Sequence, residues 1–162
     1  MNKRGLVLSA AAAAVLVSTH ASACGESLYR VGKGVAYRDY SAPLPGKILM
    51  VADTDRGLAM AEIISSAGHD VHVVASVDLI GAEINGADHN FDLVISMYGE
   101  YETVQAQAAL AAASVAYLPV ADSDSQELAA ARAINRHALS SDDRVKTYLR
   151  AIHKSLVEKT RA

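Results

Sequence analysis

From residue 47 to residue 121, short apolar runs alternate with helix-forming stretches, and this alternation restricts the fold more than any other feature of the sequence. The runs 47–52 (KILMVA), 70–75 (DVHVVA), 91–96 (FDLVIS) and 115–121 (VAYLPVA) have the length and β-branched content of buried strands. Between them lie 56–67, closed by Gly68, then 77–85, and the alanine-rich 100–113, each reading as a helix. A strand-helix repeat needs crossover connections, which make the strands parallel and cover both faces of the sheet. The expected fold is therefore α/β: a three-layer open, mostly parallel sheet of about four strands with flanking helices. After the fourth run, 126–138 and 142–159 both read as helices, with no apolar strand expected between them. The last carries Val145, Tyr148, Leu149, Ile152 and Leu156 as a core-facing stripe, with Lys146, Arg150, Lys154 and Lys159 off it.

The first 23 residues are a different kind of segment. Asn2-Lys3-Arg4 gives a positive start and 6–18 (LVLSAAAAAVLVS) an apolar stretch. Thirteen residues at about 1.5 Å each fall short of a bilayer core of about 30 Å. Ala21 and Ala23 then supply the small residues of a cleavage site, so 1–23 is expected to be an export signal. Cys24 follows directly and is the only cysteine, which excludes an intrachain disulfide and the two-cysteine attachment of covalent haem. Residues 24–46, with four glycines and Pro43-Leu44-Pro45-Gly46, read as a tether or a small hairpin around Gly32-Lys33-Gly34. That glycine pair lacks the spacing and following helix of a phosphate loop. The α/β domain is then 47–162.

Loss of residues 1–23 removes Lys3 and Arg4, leaving 13 basic against 18 acidic side chains, a net charge of −5. An acidic chain does not neutralise a phosphate backbone, so nucleic acid is excluded as an expected partner. The charge is unevenly distributed. Residues 57–131 hold 11 acidic side chains and no Lys or Arg, whereas 132–162 hold 8 basic and 3 acidic.

Two resemblances bear on function. Ala-Ser-Ala-Cys (21–24) resembles the lipobox of bacterial lipoproteins, in which the cysteine is lipidated, although Ala21 stands where that family usually has a larger aliphatic residue. It implies a lipid anchor at Cys24 on the periplasmic side of a bacterial membrane; simple secretion into the periplasm is the alternative. Separately, KILMVADTD (47–55), ISSAGHDVHVVA (64–75) and FDLVISM (91–97) resemble the receiver domain of bacterial response regulators. That resemblance implies a flavodoxin-like or receiver-like sheet, with its four strands in the order 2-1-3-4, whose first strand ends in a Mg²⁺-holding acidic pair and whose third ends in a phosphorylated aspartate. Here Ala52 replaces one acid, Asp53 retains the other, and Met97 stands at the acceptor position. Pro119-Val120-Ala121 lacks the family's hydroxyl, and no fifth strand with its lysine is expected. A thioether cannot accept a phosphoryl group, so the resemblance implies a pseudo-receiver.

Asp53, Asp55, Ser96, Asp122 and Asp124 follow or end apolar runs, and in open α/β sheets ligands bind at the carboxyl ends of strands. They form the candidate ligand or cation edge, for weak Mg²⁺ or Ca²⁺ at most. Their order also resembles haloacid-dehalogenase phosphatases, with Asp53 as nucleophile, Asp55 as general acid, and Ser96 and Asp122 completing the set. No lysine lies between Ser96 and Asp122, and Gly57 replaces the usual Thr or Val. The plainer reading is helix capping, by Asp55 at one helix and by Ser123-x-x-Gln126 or Asp124-x-x-Glu127 at another. His69, His72, His89, His137 and His153 read as surface or turn histidines rather than as a zinc or copper site. The expectation is an exported, lipid-anchored, non-catalytic binding or scaffold module whose partner is another envelope protein, with a Mg²⁺-dependent phosphohydrolase as the alternative.

Overall fold

Each apolar run becomes a strand in the computed structural model, which describes residues 41–86, 90–111 and 114–161. The signal segment 1–23, Cys24, the loop at Gly32-Lys33-Gly34 and His89 lie outside the described residues. The strands are β1 (Lys47–Val51), β2 (Asp70–Val74), β3 (Leu93–Met97), β4 (Ala116–Ala121) and β5 (Leu139–Ser140). The helices are α1 (Asp55–Ser66), α2 (Ile80–Ile84), α3 (Tyr101–Ala108), α4 (Ser125–Ile134) and α5 (Val145–Lys159). Single 3₁₀ turns, Val77–Leu79 and Tyr98–Glu100, lead into α2 and α3. The sheet order is β2-β1-β3-β4-β5 and all four pairings are parallel, which is the flavodoxin-like doubly wound order.

The fifth strand corrects the four-strand expectation. β5 pairs Val120 with Leu139 and Ala121 with Ser140, and two residues are too few to leave a periodic signal. It exists because α4 ends four residues earlier than the composition suggests. Asn135 is extended (φ −134°, ψ 115°), its Nδ2 donates to the Tyr117 carbonyl at 2.7 Å and its Oδ1 accepts from the His137 N–H at 2.8 Å. That side chain breaks the helix and turns the chain beside β4.

Strand alternation divides the core. Ile48, Met50, Leu93, Ile95, Leu118 and Val120 pack with Met60 and Ile64 of α1 and with Leu149, Ile152 and Leu156 of α5. Leu49 and Val94 face the other way, against Ile80, Ile84, Phe91 and Val104 under α2 and α3. Both faces of the central strands are covered, which is why their sequences are unbroken apolar runs. β2 is an edge strand, with Asp70 and Val73 exposed. Gly68, at φ +99°, ends α1 by taking a backbone conformation that side-chain-bearing residues rarely adopt. Residues 42–46, assigned to the tether by composition, pack on the domain. The Ala42 N–H donates to Ala67 O at 2.7 Å, and a Cβ on Gly46 would lie 2.9 Å from Leu156.

Candidate functional site

The carboxyl ends of β1, β3 and β4 open into a pocket of about 320 Å³. β1 delivers Met50, Val51 and Ala52; the link to α1 adds Asp53 and Thr54, and α1 adds Arg56, Gly57 and Met60. Ile95, Ser96 and Met97 come from β3, Val120 and Asp122 from the end of β4, Ser141 from just past β5, and Tyr148 from α5. Met50 and Met60 are buried, whereas Met97 is half-buried. Apart from Met1, these three are all the methionines of the chain.

The entry to α1 shapes one wall. Thr54, not Asp55, is the N-cap: its Oγ1 accepts the Gly57 N–H at 3.1 Å, and Asp55 is the first helical residue, exposed and outside the pocket. A Cβ at Gly57 would stand 2.8 Å from Ala52 Cβ, so only glycine lets the helix start this close to the strand end. After β4 neither proposed box forms, and Asp124 alone caps α4. Asp124 Oδ1 accepts from the Gln126 N–H at 3.0 Å, while Glu127 reaches back to the Asp122 N–H at 3.1 Å.

Of the five candidate residues, Asp53, Ser96 and Asp122 border the pocket, and Asp55 and Asp124 do not. Ser96 contributes no hydroxyl to it. Strand alternation puts its side chain on the face of Val94, and Oγ donates to the Met97 carbonyl at 3.3 Å beside the Tyr117 hydroxyl at 3.5 Å. Of the phosphatase-like set, the pocket brings together Asp53 and Asp122, with the Ser96 hydroxyl turned to the other face and Asp55 outside. Among the described residues, no three His, Cys, Asp or Glu side chains are grouped as a metal site.

What the sequence reading missed is the apolar floor and its polar rim. Arg56, the cation at the mouth, lies 3.7 Å from Asp142, and Nη2 donates to Asp143 O at 3.5 Å. Asp142 in turn accepts from the Ser123 hydroxyl, and Asp143 Oδ2 from the Ser140 N–H at 2.8 Å. Burial raises the Tyr148 phenol above its usual pKa, Arg56 opposing and Asp143 reinforcing the shift, so this wall is a neutral hydroxyl at ordinary pH. On the other side of the sheet, Tyr117 donates to Met97 O at 3.1 Å, and burial pushes its pKa up to about 12. One signal in the sequence pointed here: Met50 and Met97 end adjacent strands on the same face.

The histidines are dispersed. His69 is buried, not a surface residue: its Nδ1 accepts the Gly46 N–H at 3.2 Å, and desolvation by burial lowers its pKa. His72 sits on β2 edge-on to Phe91, and His137 lies 2.9 Å from Glu158.

No family model and no curated protein matches the chain. Among solved structures, one described as a yeast Spc42 trimeric coiled-coil segment (amino acids 181–211) fused to another structure is similar, with a TM-score of 0.58 and 12% identity. The match covers 73% of this chain and 81% of that one, and at this identity it bears on the fold alone.

Proposed function

We propose that the chain is an exported, lipid-anchored, non-catalytic binding module of the bacterial envelope, with a pseudo-receiver domain that seats an apolar side chain of another envelope protein. The observation that carries this is the floor of the carboxyl-end pocket: Met50, Met60 and Met97 with Ala52, Ile95 and Val120. At about 320 Å³ the pocket is near the lower limit of ligand sites, the scale of one side chain or a small ring. Thioethers on unbranched stems repack around varied apolar shapes, which suits recognition more than chemistry. The receiver resemblance assigns the nucleophile's place to Met97 and one Mg²⁺ carboxylate's place to Ala52, so phosphotransfer has neither its acceptor nor its full metal seat. Arg56, Asp53 and Asp122 form the polar rim that would orient the partner's backbone.

The test is methyl NMR on the mature chain labelled at the methionine ε-carbons, titrated with N-acetyl-phenylalanine amide and N-acetyl-leucine amide. All three resonances should shift together, and Met97→Asp should abolish the response. Acetyl phosphate and beryllofluoride should leave the spectrum unchanged. Stable acyl phosphate on the wild-type chain would refute the reading. So would Mg²⁺-dependent hydrolysis of p-nitrophenyl phosphate that Asp53→Asn removes, which would install the phosphohydrolase instead.

A further inference from the structure

At the opposite end of the sheet the surface is basic. Arg136 and His137, just ahead of β5, and His153, Lys154, Val157, Glu158 and Arg161, on and after the last turns of α5, line an open cleft of about 630 Å³. Glu158 is its only acid and is held by Arg136 and His137, which keep its carboxyl below the usual range. Lys154 and Arg161 are exposed beside it. Arg150 is also exposed and lies one turn before Lys154 on the same ridge of α5, so the basic surface continues along the helix.

Two further observations say what this surface faces. The described chain enters the domain at this same end: Gly46 packs against Leu156, the Gly46 N–H binds His69, and Lys159 pairs with Asp92 at 2.7 Å beside the start of β1. Residues 25–40 lie between Cys24 and Ser41, where the described chain begins, a span of at most about 60 Å when fully extended. Most of the acidic residues lie elsewhere; those at this end are Glu158, Asp92, which pairs with Lys159, and Asp70, at the start of β2 beside His72. Asp78, Glu83, Glu100 and Glu102 belong to the α2 and α3 layer, and no Lys or Arg occurs in 57–131.

We propose that the basic cleft and the α5 ridge rest on the anionic phospholipid headgroups of the membrane to which Cys24 tethers the chain. The orientation rests on the anchoring reading above. Basic side chains near an anionic leaflet are attracted within a Debye length, and a lipid chain with a basic patch holds a protein more firmly than either alone. The acidic α2 and α3 layer is repelled from the same surface, so the domain docks one way up, with its methionine pocket turned toward the periplasm.

The experiment uses the mature chain, residues 24–162, with Cys24→Ser, so that no acyl chain contributes and its outcome is independent of whether Cys24 is lipidated. Co-sedimentation at low salt is measured with phosphatidylcholine vesicles containing phosphatidylglycerol and with phosphatidylcholine alone. Binding is expected to the anionic vesicles only and to be lost at high salt. Lys154→Glu should weaken it roughly tenfold, and Arg144→Glu, the same charge change at the other end of α5, should weaken it far less. Equal losses from both variants, equal binding to neutral vesicles, or no binding to anionic vesicles would each overturn the proposal. Calorimetric binding of inorganic phosphate alone, lost in Lys154→Glu, would also overturn it by making the cleft a soluble-anion site. Capture of an acidic protein without any vesicle binding would do the same.

Discussion

The two ends of the sheet solve opposite problems with the same strands. At the amino end, polar groups are tied together: Asp92 accepts the Lys47 N–H at 2.9 Å and pairs with Lys159, and His69 accepts the Gly46 N–H. Leu156 fills the space over Gly46. At the carboxyl end the apolar floor is left open, and the rim charges are exposed, as in the Arg56–Asp142 pair. The amino end closes side chains around the entering strand, and the carboxyl end leaves an apolar floor uncovered. A doubly wound sheet favours this division, because its strand ends diverge into loops at the carboxyl edge while the crossover helices pack back onto its body.

The largest expected effect is on packing. Leu156→Ala should cost about 2–5 kcal/mol in urea unfolding, since a buried side chain is removed from both α5 and the Gly46 contact. Met97→Leu, at the open pocket, should cost less than about 1.5 kcal/mol. Equal losses would mean that the carboxyl end is packed as tightly as the amino end and that the comparison fails.

Next in size is the polar link at the amino end. Burial acts to raise the Asp92 pKa, but the Lys159 ammonium and the Lys47 N–H together hold it below the usual carboxylate range. Asp92→Ala leaves that N–H without its acceptor and should cost about 1–2 kcal/mol. Arg56→Ala breaks a solvent-exposed pair at the carboxyl end and should change stability by less than about 0.5 kcal/mol. Urea midpoints of the two variants measure the contrast directly.

A smaller effect is expected from pH. His69 is buried with its pKa lowered from 6.5, so near that pH the unfolded chain binds more protons than the folded one. Its contribution is fully present above pH 6.5 and is lost as pH falls from there through the lowered native pKa. His153, lowered by desolvation, acts in the same direction. Stability measured from pH 7.5 down to 5 should decline, and His69→Asn, which keeps an acceptor near the Gly46 N–H, should flatten the slope. An unchanged slope would move the acid sensitivity away from the amino end.

The smallest effect concerns the acidic rim. Calorimetry should find only weak Mg²⁺ or Ca²⁺ binding, reduced more by Asp53→Asn at the pocket than by Asp142→Asn, whose carboxylate already faces Arg56 and Ser123. Tight binding untouched by Asp53→Asn would place the cation elsewhere.

The sequence by itself determined the fold class, because buried parallel strands must be apolar on both faces and the intervening helices must carry a stripe; the order of the first four strands came only from the receiver resemblance. The sequence also placed the end of α1 at Gly68, where the backbone needs a positive φ. Tertiary structure alone decided the rest. β5 is two residues long and depends on β4 for every ladder partner and on Asn135 for the turn, so no local pattern could announce it. The site followed the same rule: five acidic and hydroxyl residues were legible because their chemistry is, yet the strand pleat turned Ser96 to the other face and the Thr54 cap left Asp55 outside. The methionine floor comes from β1, α1 and β3, residues distant in sequence: period-2 alternation puts Met50 and Met97 on one face, but only the sheet and the packing of α1 bring Met60 to them.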